Sequence, residues 1–244
     1  MTEKFARYQR QIILEGWGTK AQTRLRQSRV FVAGIGGLGC PVALNLTLAG
    51  VGHVRICDSD RVEISNLNRQ FLHNQTKIGS KKTNSARECL QAMNPDTNVE
   101  ALCENICTEN VDELVADAQV IIDCLDNFEA RYAINRCAMR KNIPLVHGAV
   151  WGLEGRLAVF QPPKTPCLSC IFPKAPLATS IPVLGAVTST IGSMQAIEAI
   201  QFLISGKMAL TGRLLIMDFS SMKFQELELS KNPSCPVCGT LLQK

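Results

Sequence analysis

VFVAGIGGLGC, residues 30–40, decides the fold, because an apolar run leads into a Gly-x-Gly-x-x-Gly turn at Gly34, Gly36 and Gly39. A helix-like stretch, 38–49, follows directly. Glycines in such a turn let the backbone approach phosphate oxygens, and the helix N-terminus supplies N–H donors. A tight turn without a ligand would show the same pattern. Asp58 follows about 20 residues after Gly39, where a nucleotide-binding fold places the acid that binds a ribose hydroxyl.

The composition favours one large α/β domain with an aliphatic core. The chain has 244 residues, is 46% hydrophobic but only 5% aromatic, and carries a net charge of +5. Since no Lys/Arg block resembles a nucleic-acid-binding tail, we expect no nucleic-acid partner. The polar N-terminus lacks a signal core, and polar residues interrupt the longest apolar tract, so no membrane span is expected. Eleven cysteines suit a reducing, cytoplasmic location.

Strand-like and helix-like segments alternate along the first 150 residues. The predicted strands are 29–34, 54–57, 99–103, 120–124 and 144–147, and the predicted helices between them are 38–49, 80–93, 111–116 and 128–141. This alternation predicts a doubly wound, Rossmann-like α/β fold with a mostly parallel sheet. Beyond it we expect a strand at 156–161, a buried helix at 189–204, and antiparallel strands at 213–219 and 222–229.

These segments predict a single domain, 1–244, with three parts. A helical arm, 1–28, with its helix at 7–16, precedes a nucleotide-binding half, 29–150. A C-terminal half, 151–244, contains the antiparallel strands and two cysteine pairs, and it is the expected surface for a partner protein.

The residues after Asp58 bear on the choice between a hydride-transfer site and an ATP site. They read DSDRVEISNLNRQ, 58–70, and three lysines follow by residue 82. A site that displaces pyrophosphate needs cations for the leaving group and a carboxylate that holds Mg²⁺. Arg69 and Lys82 are suitable cations, and Asp126 lies at a strand's carboxyl end, where open α/β sheets bind ligands. The lysines are equally compatible with a solvated helix start.

The chain resembles the MoeB/ThiF/HesA family, adenylyltransferases that activate ubiquitin-like sulfur carriers, and it is most similar to molybdopterin-synthase adenylyltransferases. The resemblance covers essentially the whole chain. Its motifs are RYQRQIIL (7–14), GIGGLG (34–39), DSD (58–60), SNLNRQ (65–70), Lys82, LDN (125–127) and two C-x-x-C pairs.

The resemblance implies a set of ATP-binding residues. These are Gly34, Gly36, Gly37, Gly39, Asp58, Asp60, Asn66, Arg69, Gln70, Lys82, Asp126 and Asn127. Arg69 and Lys82 would act on the transition state, and Asp126 would also coordinate Mg²⁺. Arg10 would reach into the active site of a second subunit, since family members are homodimers.

The implied reaction joins a carrier protein to AMP. The carrier's C-terminal Gly-Gly carboxylate attacks the α-phosphorus of ATP, an acyl-adenylate forms and pyrophosphate leaves. Positioning and charge stabilisation suffice for this chemistry, because the attacking carboxylate is already ionised. The three histidines, His53, His73 and His147, are therefore expected to be structural.

The cysteine pairs Cys167/Cys170 and Cys235/Cys238 have the spacing of metal knuckles. Two thiolates three residues apart can share one metal, and two knuckles complete a tetrahedral Cys₄ site. Redox-active pairs and unrelated free thiols are the alternatives. Neither pair is predicted to open a helix after a strand, as a thioredoxin-like motif does. We expect a structural Zn²⁺ that clips the C-terminal tail to a distant loop.

One departure from the family concerns the loop between the first knuckle and the buried helix. Many members carry a cysteine there, whereas alignment on 192–196 places Ala178 at that position. We therefore expect this protein to stop at adenylation and to rely on a separate persulfide donor, as in the molybdopterin branch. Thiamine and other sulfur pathways stay open.

Three other functions are weighed against adenylation of a carrier. An NAD(P)-dependent oxidoreductase leaves SNLNRQ, Lys82 and the cysteine pairs unexplained. A tRNA-modifying relative, of the threonylcarbamoyladenosine dehydratase type, would be expected to have a catalytic cysteine and a more basic surface. A non-catalytic carrier-binding scaffold is disfavoured by the intact Arg69, Lys82 and Asp126.

Overall fold

The computed structural model describes residues 3–175 and 182–239, and its strands form an eight-stranded sheet. The strands are β1 (Arg29–Ala33), β2 (His53–Cys57), β3 (Asn98–Leu102), β4 (Val120–Asp123), β5 (Leu145–Trp151), β6 (Glu154–Phe160), β7 (Arg213–Asp218) and β8 (Lys223–Glu228). Their spatial order is β3-β2-β1-β4-β5-β6-β7-β8. Strands β1 to β5 pair in parallel, and β6, β7 and β8 continue the sheet antiparallel. The predicted mostly parallel sheet with antiparallel C-terminal strands is confirmed.

Helices cover both faces of this sheet. The α-helices of the described residues are α1 (Gln9–Ile12), α2 (Gly18–Gln27), α3 (Gly39–Ala49), α4 (Lys82–Met93), α5 (Val111–Val115), α6 (Phe128–Lys141), α7 (Leu168–Ile171) and α8 (Gly185–Ser205). Helices α2, α3, α4 and α8 pack on one face, and α5, α6 and α7 pack on the other. In β1, Val30 and Val32 face the first layer and Phe31 faces the second. Burial on both faces explains why the parallel strands are continuous apolar runs.

Three boundaries differ from the sequence prediction. The N-terminal arm is not one helix at 7–16 but a 3₁₀ helix, Glu3–Tyr8, followed by α1 and α2. Gly16 and Gly18 between α1 and α2 have φ angles of 77° and 65°, so the chain turns there. Strand β5 extends beyond 147, because it pairs with β6 from Leu145 to Trp151. Helix α8 begins four residues before the predicted 189, and no side-chain cap marks its start.

Helix α8 accounts for most of the longest apolar tract of the sequence. It packs against α3 and the sheet, and it buries three polar side chains, Thr188, Gln195 and Glu198. None of the helices in the described residues is long and apolar enough to cross a membrane.

Candidate active site and metal centre

The glycine-rich turn connects the carboxyl end of β1 to the start of α3. Gly34 has a φ of 88°, and a Cβ there would lie 2.8 Å from the carbonyl oxygen of Cys124. A Cβ on Gly39 would lie 2.0 Å from the carbonyl oxygen of Gly34. Gly36 and Gly37 are only half-buried. The outer glycines are therefore required by the turn itself, and the inner pair leaves backbone accessible to a phosphate.

Asp58 follows β2, and backbone N–H groups hold its carboxylate beside the turn. Ile35 N donates to Oδ2 and Asp60 N donates to Oδ1, both at 2.8 Å. Each carboxylate oxygen keeps a further lone pair with which it could accept from a ribose hydroxyl. The structure thus places Asp58 next to the glycine turn, where the sequence predicted the ribose-binding acid.

Lys82 and Asp60 form an ion pair beside this carboxylate. Lys82 opens α4, and its Nζ donates to Asp60 Oδ2 at 2.8 Å. The lysine side chain is 7% exposed, whereas that of Asp60 is 65% exposed. The backbone N–H of Lys82 also donates to the Asp60 carbonyl oxygen at 3.0 Å. A buried lysine with a fixed stem differs from the solvated helix start that the sequence left open.

The SNLNRQ segment follows in a loop with a single 3₁₀ turn, Ile64–Asn66. Asn66 Oδ1 accepts from the N–H of Glu63 at 3.1 Å, which completes a capping box. Arg69 Nη1 donates to the Ser65 carbonyl oxygen and to Asn68 Oδ1, both at 2.9 Å. These contacts hold the loop in shape, while the predicted nucleotide contacts of Asn66 and Arg69 stay predictions.

Gln70 supplies an observation that favours a ligand at this place. It is 3% exposed, and among the described residues no hydrogen bond reaches its Oε1. Its Nε2 lies 3.5 Å from the position that a Cβ on Gly36 would take. Because buried polar atoms are normally paired, an acceptor left open beside the glycine turn fits a ligand that donates a hydrogen bond there, as a hydroxyl or amino group of a nucleotide can.

Asp126 and Asn127 lie on the loop after β4. Asp126 is exposed, and Asn127 Oδ1 accepts from the N–H of Ala130 at 2.9 Å, which caps α6. The loop adjoins the glycine turn, since a Cβ on Gly34 would lie 3.5 Å from Leu125 Cδ2. An exposed carboxylate beside the glycine turn fits Mg²⁺, which proteins commonly bind through one or two carboxylates together with the phosphates of a nucleotide.

The N-terminal turn of α8 completes this region, and sequence reasoning missed it. A Cβ on Gly37 would lie 3.2 Å from Thr188, and one on Gly185 would lie 2.6 Å from the carbonyl oxygen of Asn68. Helix α8 therefore contacts both the glycine turn and the SNLNRQ loop. The available signal was the run of small residues at 185–190, GAVTST, which permits close approach of the backbone.

Arg10 is the one predicted site residue that lies at the other end of α3. It is exposed on α1, and the neighbouring Gln11 donates to the carbonyl oxygen of Ala49 at 2.7 Å. Ala49 ends α3, about 15 Å along the helix axis from the turn at its start. Within one chain the structure does not bring Arg10 to the glycine turn.

A buried charge cluster behind the Asp126 loop was also missed. Asp123 and His147 are 0% and 1% exposed, and His147 Nδ1 donates to Asp123 Oδ2 at 2.7 Å. Burial raises the pKa of Asp123, but the charge of Arg131 and the hydrogen bond from His147 outweigh burial and hold that pKa below its ordinary value. Burial lowers the pKa of His147. At neutral pH the cluster therefore consists of an ionised aspartate, a neutral histidine and an arginine.

The four cysteines of the two pairs converge as predicted. Their Sγ atoms lie within 4.8 Å of one another, at 3.7 Å for Cys167 and Cys235 and 3.2 Å for Cys170 and Cys238. A tetrahedral site with Zn–S bonds of about 2.3 Å has S···S distances of about 3.8 Å. The donor set and spacing therefore fit Zn²⁺.

The surroundings of Cys235 and Cys167 differ within this cluster. Burial raises the pKa of Cys235, but N–H groups of Cys238 and Val237 outweigh burial and lower it to about 7, whereas burial holds the pKa values of Cys167 and Cys238 above the ordinary value. The N–H of Gly239 donates to the Cys235 carbonyl oxygen at 2.9 Å. The short helix α7 begins directly after Cys167, so the first pair does open a helix, but a loop, 161–167, separates this helix from the end of β6.

The fold and the turn define an α/β protein with a nucleotide-type site at the carboxyl edge of its parallel strands. The chain belongs to the ThiF family, whose sequence profile matches residues 8–237. This confirms the resemblance found in the motifs and leaves the oxidoreductase alternative without support.

Named relatives match nearly the whole chain. The SAMP-activating enzyme E1 of Haloferax volcanii is 42% identical over 96% of this chain and 88% of its own length. The sulfur carrier protein adenylyltransferase of Thermus thermophilus is 40% identical over 97% of this chain and 92% of its own length. The adenylyltransferase and sulfurtransferase MOCS3 of Drosophila sechellia is also 40% identical over 97% of this chain, which spans 54% of that longer protein.

Solved structures show the same fold. The structure of E. coli MccB with ATP superposes with a TM-score of 0.86 at 22% identity, over 96% of this chain and 74% of MccB.

Proposed function

We propose that this chain is an adenylyltransferase that uses ATP to activate the C-terminal Gly-Gly carboxylate of a ubiquitin-like sulfur carrier. The named activities of the relatives at 40–42% identity support this proposal. The observation that carries it is the Lys82–Asp60 ion pair beside Asp58 and the glycine turn. A site that releases pyrophosphate needs a cation at the leaving group, and a buried lysine beside the glycine turn can supply it.

The reaction is a displacement at the α-phosphorus of ATP. The carrier carboxylate attacks, the bond to the β,γ-pyrophosphate breaks, and an acyl-adenylate forms. Asp58 binds the ribose, the backbone of Gly36 and Gly37 approaches the phosphates, and Lys82 and Arg69 stabilise the charge on the leaving group. Asp126 holds Mg²⁺, which when bound screens the charge of the phosphate oxygens. No protein nucleophile or general base is required.

We place Arg10 in the site of a second subunit. Because Arg10 lies at the far end of α3 in its own chain, a role at the nucleotide requires a second copy of the chain, in agreement with the homodimer that the family resemblance implies. The four cysteines hold a structural Zn²⁺ that ties the C-terminal segment to α7. Eleven thiols in an ATP-using protein suit the cytoplasm.

The source of sulfur is a separate persulfide donor. The loop position that carries a cysteine in many family members is Ala178, which lies outside the described residues. The molybdopterin branch, in which the adenylating enzyme does not carry the sulfur, is the pathway we favour, ahead of thiamine.

The test is carrier-dependent exchange of labelled pyrophosphate into ATP, with small carriers that end in Gly-Gly supplied one at a time. One carrier should support exchange, and loss of its last glycine or the substitution Asp126→Ala should abolish it. Asp117→Ala is the matched control, because Asp117 is an exposed aspartate that pairs with Arg29 at another place. A dimer that binds ATP but shows no exchange with any carrier would contradict the proposal.

A further inference from the structure

The buried cluster of Asp123, Arg131 and His147 has no role in the mechanism above. Asp123 ends β4, His147 lies opposite it in the register of β5, and Arg131 comes from α6, the helix that connects the two strands. The side chains of Asp123 and Arg131 are 0% and 7% exposed. Taking a carboxylate and a guanidinium out of water is costly, and such clusters stabilise no better than apolar packing of the same volume. Stability alone therefore does not explain why the chain buries this cluster.

Both carboxylate oxygens of Asp123 are occupied. Oδ2 accepts from His147 Nδ1 and lies 3.4 Å from Arg131 Nε, an ion pair without the alignment of a hydrogen bond. Oδ1 accepts from the backbone N–H of Leu125 at 3.1 Å. Because an ionised carboxylate can only accept, His147 must carry its proton on Nδ1.

Arg131 binds the other polar group of the same residue. Its Nη2 donates to the carbonyl oxygen of Leu125 and, at 3.1 Å, to that of Gly148. The buried cluster thus holds both the N–H and the C=O of Leu125, the residue before Asp126. Asn127, the residue after Asp126, is fixed as the cap of α6. The exposed Asp126 therefore lies between two immobilised neighbours.

We propose that Asp123, Arg131 and His147 are positioning residues that hold the loop of Leu125–Asn127 in the conformation with which Asp126 meets Mg-ATP. This inference rests on the proposed function, in which Asp126 is the metal ligand. Partners behind a metal ligand commonly set its orientation and thereby the affinity of the metal. Here the three residues would orient Asp126 by holding the backbone of Leu125, and not by contacting the side chain of Asp126 itself.

Arg131→Lys is the most informative variant. Lysine keeps a positive charge, but its side chain is shorter and has a single nitrogen. It therefore cannot lie beside Asp123, as Nε does, and at the same time reach the carbonyl oxygens of Leu125 and Gly148, as Nη2 does. His147→Leu removes the donor to Asp123, whereas His147→Asn keeps an N–H close to the position of Nδ1. The pair of histidine substitutions therefore separates the hydrogen bond from the volume of the ring.

Asn94→Ala serves as the matched control for general destabilisation. Asn94 is buried, and its Nδ2 donates to Tyr8 Oη at 2.9 Å and to the Thr47 carbonyl oxygen at 2.7 Å. This network lies at the far end of α3 from the glycine turn. Its loss should lower the thermal midpoint without touching the Asp126 loop.

Three readouts are compared in each variant: amide hydrogen exchange of residues 124–130 without nucleotide, the Mg²⁺ concentration for half-maximal pyrophosphate exchange, and the thermal midpoint. We expect faster amide exchange and about a tenfold higher Mg²⁺ requirement in Arg131→Lys and His147→Leu. His147→Asn should stay close to the wild type in both. Asn94→Ala should change the thermal midpoint alone.

Wild-type amide exchange at 124–130 in Arg131→Lys would overturn the proposal, as would an equal shift of the Mg²⁺ requirement in Asn94→Ala. A wild-type enzyme without carrier-dependent activity would instead contradict the proposed function. In that event the Mg²⁺ dependence of ATP binding, measured by calorimetry, replaces the turnover assay. A higher Mg²⁺ requirement in Arg131→Lys but not in Asn94→Ala would support the proposal, and an equal shift in both variants would overturn it. If His147→Leu does not fold, the comparison of Arg131→Lys with His147→Asn still tests the proposal, because both variants keep a polar side chain in the cluster.

Discussion

The carboxyl edge of the parallel strands and the four-cysteine cluster both gather reactive side chains, but they differ in exposure. At the edge, Asp60 and Asp126 are exposed, and the backbone of Gly36 is accessible. In the cluster, Cys167 and Cys235 are buried and the four thiols face one another. A ligand that must enter and leave needs open groups, whereas a metal that stays needs a closed set. We therefore expect substitutions at the edge to change activity and substitutions in the cluster to change stability.

Among the substitutions that compare these two regions, the largest effect is expected for Lys82→Met, which keeps much of the side chain's volume but removes its charge. Loss of a preorganised cation at the phosphates should lower kcat/KM for pyrophosphate exchange by about 10²–10³-fold, or about 3–4 kcal/mol. The thermal midpoint should change little, because the remaining partner, Asp60, is well exposed. Parallel activity assays and thermal melts check this prediction. A large fall in the thermal midpoint would mean that Lys82 also contributes to stability, which contradicts the expected difference between the two regions.

Cys235→Ser should have the opposite profile. Removing one thiolate should release the metal and loosen the C-terminal segment, at a cost of about 3 kcal/mol and about 10 °C in the thermal midpoint. Metal analysis should find about one Zn²⁺ per wild-type chain and much less in the variant. Activity at 25 °C should stay within about threefold, since the cluster supplies no group to the reaction. A Cys89→Ser variant, at a half-buried cysteine of α4, is the control.

Acid should lower the free energy of unfolding through two buried histidines near the carboxyl edge. Burial lowers the pKa values of His147 and His73, so the unfolded chain binds protons more readily than the folded chain. Stability is therefore complete above the ordinary histidine pKa of about 6.5 and falls as the pH drops below it, by at most about 1.4 kcal/mol per pH unit for each group. The pKa of Asp123 is held below its ordinary value, so its contribution is lost only below about pH 3.9.

Urea unfolding at pH 7.5 and 5.5 checks this prediction. His147→Asn, which keeps a donor to Asp123 but cannot titrate in this range, should show a smaller loss of stability on acidification than the wild type. Asn94→Ala, which changes no titratable group, should keep the wild-type difference between the two pH values. An unchanged difference in His147→Asn would mean that the charge of His147 does not couple to folding.

Both regions could be predicted from the sequence, but the buried charge cluster behind the Asp126 loop could not. The glycine turn, Asp58 and the cysteine pairs depend on short spacings, and the structure places each of them as the spacings predicted. The charge cluster depends on strand order instead, because Asp123 and His147 meet only through the parallel pairing of β4 with β5. An acid and a histidine at the ends of consecutive predicted strands were the available signal. The early start of α8 carried none of the usual capping residues.

Asp60→Asn should have the smallest effect, and it tests whether the two partners of the Lys82 ion pair are equivalent. Because Lys82 is 7% exposed, it loses its counter-charge in a largely buried place, but the amide oxygen of asparagine can still accept from Nζ, so stability should fall by only about 1 kcal/mol. If Asp60 only holds Lys82 in place until ATP arrives, neutralising it leaves the lysine's charge to the phosphates, and KM for ATP should stay level or fall while kcat changes less than about fivefold. A loss as large as that of Lys82→Met would instead mean that the carboxylate of Asp60 acts on the nucleotide itself. Steady-state kinetics on the two variants side by side distinguish a cation that works on ATP from an acid that merely orients it.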